Sequence, residues 1–153
     1  EKVAVMATPL TLHEEKFKQL VKRYEDQAVI IPVPCPDLVE YVEKGILEGP
    51  ELEGYLKDVL TPCLQEGVKA VVLGCTHFPL VKAAIGKVVG ESVRIYDGGE
   101  GTARQAKCLL AAKNLCTDQE KGHIRFESSA PEKEAYYETL YRKAAHIDSR
   151  VKL

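Results

Sequence analysis

The chain has 153 residues, 45% of them apolar and 29% charged, which fits one or two small globular domains with a real core and excludes a disordered polymer. Its net charge of −2, with both signs interspersed, provides no basic patch for nucleic acid and no cationic face for a membrane. No run approaches the ~20 apolar residues of a membrane helix, and no charged-then-apolar leader is present, so the chain reads as soluble and cytoplasmic, with a small molecule or a protein as partner.

The first strand-like run, "VAVMA", begins at Val3 without any lead-in, as in a fragment of a longer protein. In "TLHEEKFKQLVKRY", Thr11 and Glu14 have capping-box spacing and Phe17, Leu20, Val21 and Tyr24 recur at three and four, which predicts a helix from Thr11. "AVIIPVP" is a second strand. Cys35-Pro36 then opens a short helix through Val39, Val42 and Ile46, with Gly45 near its end. "ELEGYLKDVLTPCLQEG" sets Leu52, Tyr55, Leu56, Val59, Leu60, Cys63 and Leu64 on one face, with Pro62 bending or interrupting the last turns. "KAVVL" is a third strand, followed by a helix with Pro79 in its first turn and Leu80, Ala84, Ile85 and Val88 as its stripe. "VRIYD", the loop and helix of "GGEGTARQAKCLLAAKNL", and "HIRFESS" with "PEKEAYYETLYRKAA" complete a β/α alternation. Strands this continuously apolar predict an α/β fold, a mostly parallel sheet flanked by helices on both faces.

Ligands of such sheets bind beyond the carboxyl ends of the strands, which is where "LGCTHFPL" places Cys75, Thr76 and His77. The helix start just beyond them favours negative charge, so it suits both a thiolate and a substrate carboxylate. Thr76 adds a hydroxyl, and His77 adds a group that titrates near neutrality. Read from the residues alone, a lone cysteine after a buried strand is more often a small packed side chain, with Thr76 and His77 as helix caps. Glu43 falls at the margin of the Val39, Val42 and Ile46 stripe, where it fits either a solvated flank or the wall of a cleft. Cys63 lies on an apolar stripe and reads as packing; Cys35 precedes a helix, a place that suits a reactive thiol; nothing marks Cys108 or Cys116. The five cysteines lack CxxC spacing, which excludes a disulfide framework and a structural zinc site. His13, His123 and His146 are isolated, and no metal site is expected. "GGEGT" lacks phosphate-loop spacing and reads as a tight turn.

"LGCTHFPL" resembles a catalytic-cysteine motif of the aspartate/glutamate racemase family, and most resembles its glutamate-acting branch. "VAVMATPLTLHEEKF", "VPCPDLVEYVEKG", "IYDGGEGTARQ" and "RFESSAPEKE" resemble further family segments in the same order, although Leu10 stands where a glycine is common. The resemblance implies cofactor-independent interconversion of L- and D-glutamate for peptidoglycan synthesis, with one cysteine removing the Cα proton and a second returning it on the opposite face. Cys75 matches the cysteine serving the L-face, Thr76 a substrate-contacting residue, His77 a histidine assisting Cys75, and Glu43 a carboxylate in the same proton transfer. Cys35 lies in one of the resembling segments, and the resemblance makes it packing. It also implies that residues 1–92 form the family's second domain and residues 93–153 the segment returning to complete the first. The partner cysteine motif, C-N-T-[AS], does not occur here, so the missing N-terminal half is an expected partner and the chain alone is expected to be inactive. The C-terminal apolar faces, with Leu109, Leu110, Tyr137, Leu140 and Tyr141, are then expected to lie exposed and to invite docking or a homo-oligomer. Two other readings remain open from the sequence: a one-cysteine relative of the arylmalonate decarboxylase type, and a non-catalytic binding domain of the same fold.

Overall fold

A computed structural model describes residues 1–117 and 122–150. Four strands, β1 (Lys2–Ala7), β2 (Val29–Pro34), β3 (Ala70–Leu73) and β4 (Arg94–Tyr96), form one parallel sheet in the order β2-β1-β3-β4. Val3 pairs with Ile30 on one side and Ala70 on the other, and Ala70 in turn with Arg94. In β2, the N–H groups of Val29 and Cys35 donate to Glu1 and Ala7, so the alternate positions, Pro32 and Pro34, face the free edge. Proline has no N–H to offer there, which blunts the edge against further pairing.

Between the strands run α1 (Pro9–His13), α2 (Glu15–Tyr24), α3 (Leu38–Glu43), α4 (Pro50–Gln65) and α5 (Lys82–Val89), the last entered through a 3-10 turn, Phe78–Val81. The alternation of sheet residues separates two faces. Ala4, Met6, Val71 and Leu73 belong to a buried core with Leu38, Val42, Leu52, Leu56, Leu60, Phe78 and Ile85. Val3, Val5 and Val72 face the other way, toward α1 and α2, and remain partly exposed.

Several elements depart from the sequence pattern. The first helix starts at Pro9 rather than Thr11. Thr8 is the N-cap, its hydroxyl accepting the Thr11 N–H at 3.3 Å, and Pro9 suits the first turn. Extended backbone at Glu14 (ψ 140°) then separates α1 from α2, so the Thr11–Glu14 capping box does not form. The buried residues of α3 are Leu38 and Val42, so Val42 lies on the predicted stripe while Leu38 takes the place of Val39. Pro62 lies inside α4, which continues to Gln65 without interruption. "HIRFESS" is not a strand: it makes no ladder among the described residues, and Ile124 is exposed.

The chain divides into two compact units, one of Glu1–Asp97 with the last part of the chain from Ala144, the other of Gly98–Lys143. β4 pairs with β3 and so belongs to the first unit. The second unit contains α6 (Gly99–Ala112), in which no residue is buried, and the start of α7 (Glu134–Arg150). Leu109, Leu110 and Tyr141 are exposed as expected, whereas Leu140 is buried. The chain before α7 folds back on that helix: the Phe126 and Tyr141 rings lie 5.5 Å apart, and the Ser128 N–H donates to the Glu134 carboxylate. No described helix is long and apolar enough to cross a membrane.

Candidate functional site

The site lies at the carboxyl edge of the sheet, beyond β3. Gly74 leaves the strand with its N–H on the Met6 carbonyl at 2.8 Å. A side chain there would crowd that oxygen, since a Cβ would come within 3.0 Å of it and 3.3 Å of the Ala7 Cβ. Glycine thus lets the chain turn against β1 and bring up Cys75 half exposed. The Phe78 N–H closes the turn on the Cys75 carbonyl at 3.2 Å. From Phe78 the chain takes a 3-10 turn rather than the expected α-helical start, and α5 proper begins at Lys82.

Within this turn the Cys75 Sγ lies 3.9 Å from His77 Nδ1, at the long end of a sulfur hydrogen bond. The other ring nitrogen, Nε2, is 2.9 Å from Glu43 Oε1. A carboxylate accepts only, so this contact places the ring proton on Nε2 and turns the Nδ1 lone pair toward the sulfur. His77 and Glu43 are 31% and 36% exposed, sheltered enough to hold one geometry and open enough to meet a ligand. Thr76 is exposed beside them.

Glu43 reaches His77 because α3 ends where it does. The Gly45 N–H donates to the Val42 carbonyl and the Ile46 N–H to the Tyr41 carbonyl, a Schellman closure that requires the positive φ of 72° at Gly45. This stops the helix with Glu43 in its last turn. At the other end, the Asp37 N–H donates to the Tyr55 hydroxyl at 3.3 Å. The sequence pattern brings Cys75 and His77 forward together and Glu43 apart from them, and the fold brings the three into one line.

The remaining thiols differ sharply. Cys35 is buried, its S–H donating to the Val33 carbonyl at 3.5 Å. Burial, reinforced by the nearby Cys63 and Cys75, pushes it from an ordinary 9.0 up to about 12. Burial also raises Cys63, whose thiol meets the Leu60 carbonyl. Cys108 and Cys116 are exposed. His13 Nδ1 lies against the Pro9 carbonyl, and the side chain of His146 is outside the described residues. Sequence reasoning misses the ion pair of Lys82 and Asp97, 3.0 Å apart and only 22% and 19% exposed. It ties the start of α5 to the end of β4 at the same sheet edge. Asp97 precedes a glycine pair at a strand end, and that placement is the signal the sequence offers.

The family model described as Asp/Glu/Hydantoin racemase matches residues 1–106, and the chain belongs to that family. It is 42% identical over 132 residues to a glutamate racemase of Clostridium perfringens, a match covering 86% of this chain and 51% of the relative. It is 45% identical over 128 residues to a glutamate racemase of Clostridium kluyveri, covering 83% of this chain and 49% of the relative. The chain therefore spans about half the length of the curated relatives it matches. Among solved structures, the glutamate racemase of Escherichia coli, in complex with L-glutamate and the activator UDP-MurNAc-ala, matches with a TM-score of 0.72 at 28% identity, over 93% of this chain and 55% of that one. The glutamate racemase of Francisella tularensis matches in fold, with a TM-score of 0.74 at 22% identity over 92% of this chain and 54% of that one.

Proposed function

We propose that the chain carries one of the two proton-transfer thiols of a cofactor-independent glutamate racemase, an isomerase that interconverts L- and D-glutamate in the bacterial cytoplasm for peptidoglycan synthesis. The observation that carries this reading is the line from Glu43 through His77 to Cys75 at the carboxyl edge of the sheet, in a member of the Asp/Glu/Hydantoin racemase family. As a thiolate, Cys75 takes the Cα proton of L-glutamate; as a thiol, it gives a proton back when D-glutamate reacts. His77 accepts the thiol proton at Nδ1 while Glu43 holds Nε2–H, so the pair sets the proton affinity of the sulfur. Thr76 offers its hydroxyl to the substrate, one of the aimed donors that a carbanion-like transition state needs. Inversion requires a second proton donor on the opposite face of Cα. That thiol is assigned to the half of the polypeptide that this chain does not span.

Circular dichroism of L- and D-glutamate solutions tests the reading. The 153-residue chain alone turns over neither enantiomer; joined to the other half of the Clostridium perfringens racemase it turns over both, and Cys75→Ala abolishes this. Sustained turnover by the chain alone overturns the two-thiol assignment, and turnover that survives Cys75→Ala removes Cys75 from the chemistry.

A further inference from the structure

Parallel sheets are stable when helices cover both faces, and here, among the described residues, one face is covered only in part. An apolar groove of about 850 Å³ runs along it, lined by Val3, Val5 and Val72 of the sheet and by Phe17, Leu20 and Tyr24 of α2. Although α2 carries an apolar stripe at helical spacing, it has no buried residue. Leu20 is 43% and Tyr24 41% exposed. Register carries the uncovered strip further: Val72 pairs with Tyr96 of β4, so Tyr96 shares this face, and it too is exposed beneath Arg94. From β1 to β4 is two strand spacings, about 10 Å, which is the diameter of one helix with its side chains.

We propose that this groove seats a single amphipathic helix, antiparallel to the strands, from the half of the racemase polypeptide that this chain does not span. Glu1 lines the groove where the backbone enters β1. A helix ending there joins the strand by a short turn, the usual αβ connection in a sheet of this kind. The relatives contain about as much polypeptide again as this chain matches, so the length to supply it exists. Its inner face carries aliphatic residues at i, i+3, i+4 and i+7 to meet Val5, Val72 and Phe17, and its flanks carry charges to suit Glu14 and Lys16 at the rim. This inference goes beyond the chemistry of Cys75 and does not use it.

The test reads thiol accessibility inside the groove. Val72→Cys, and separately Leu20→Cys on the already exposed side of α2, are labelled with N-ethylmaleimide and followed by peptide mapping. Each is compared in the 153-residue chain and in the same chain joined to the other half of the Clostridium perfringens or Clostridium kluyveri racemase, with cooperative melting checked for every protein. Leu10→Cys, 74% exposed in the parent and outside the groove, is the control. Labelling at positions 72 and 20 is expected to slow at least tenfold in the joined protein while position 10 is unchanged. Equal rates in the two forms overturn the proposal. So does slowing that develops in the 153-residue chain alone as its concentration rises and a dimer sediments, because the occupant is then a second copy. Protection without racemisation upholds this inference and sinks the proposed function; racemisation without protection does the reverse.

Discussion

Cys35 and Cys75 stand at comparable places in one sheet, the first directly beyond β2 and the second beyond β3, with β1 running between them. Two strand spacings, about 10 Å, separate such positions, too far for the Cα distance of a disulfide without backbone movement. Their surroundings give them opposite chemistry. Cys35 leads into Leu38, at the buried start of α3, and its thiol is sealed against the Val33 carbonyl. Cys75 comes directly after the exposed Gly74 and has an imidazole within 3.9 Å. A strand end supplies a position; the residues one and two steps away decide whether a thiol there packs or reacts.

The largest expected contrast is in activity. In the joined racemase, Cys75→Ala lowers turnover by roughly 10³-fold or more, the upper range for removal of a proton-transfer group, whereas Cys35→Ala changes it little. Comparable losses in the two variants, measured by circular dichroism, would erase the distinction. Alkylation comes next. At pH 8 a thiol with a pKa of about 12 is ionised in only about one molecule in 10⁴, so iodoacetamide should leave Cys35 unmodified, and burial, which also raises Cys63, keeps the reagent from that thiol. Cys75 is expected to label first of the five, ahead of the exposed Cys108 and Cys116. If Cys75 lags behind those two, His77 does not activate it.

Replacing the support rather than the thiol sharpens the contrast at a smaller scale. His77→Asn and Glu43→Gln are expected to cost about 10- to 100-fold, toward the low end of general acid–base effects, by changing the proton affinity of Cys75. L- and D-glutamate are enantiomers with an equilibrium constant of one, so kcat/KM must fall equally in both directions. The directional effect appears in kcat, matched by a proportional change in KM in the same direction, and in the rate of deuterium entry at Cα from each enantiomer in D₂O. Deuterium entry reduced equally from both sides would make His77 and Glu43 positioning residues alone.

The reach of the sequence tracks the range of the interactions involved. Strand-and-helix alternation is written in local apolar runs, and Cys75, Thr76 and His77 are adjacent in the chain, so both are legible. The pairing of Glu43 with His77 spans 34 positions and depends on the Schellman closure at Gly45 and on crossing from β2 to β3. From periodicity alone Glu43 is a residue at the edge of a stripe. Helix starts are misread where two caps compete, Thr8 with Pro9 prevailing over Thr11 with Glu14. "HIRFESS" has strand-like residues but no ladder partner among the described residues, and a strand exists only in a sheet. The unburied stripe of α2 is invisible for the converse reason: amphipathicity predicts a covered face without saying what covers it.

The smallest expected effect is a pH dependence set by the buried thiol. Below pH 9 both the folded and the unfolded chain keep the Cys35 proton, and stability does not depend on it. Between its ordinary 9.0 and the folded value of about 12, the unfolded chain releases the proton while the folded chain holds it. The unfolded state then binds fewer protons, so stability falls as pH rises, by up to about 1.4 kcal/mol per pH unit. Tyr55, raised by burial from 10.0 to about 12, acts in the same direction from pH 10 upward. Cys35→Ala is therefore expected to be less stable than the parent at pH 8, by roughly 1–2 kcal/mol for a lost buried side chain, yet to lose stability more slowly as the solution becomes alkaline. Urea unfolding of parent and variant at pH 8, 9, 10 and 10.5 should show the gap between them narrowing. A gap that stays constant across this range would mean that Cys35 ionises in the folded protein as readily as in the unfolded one, and the contrast with Cys75 would then rest on the imidazole alone.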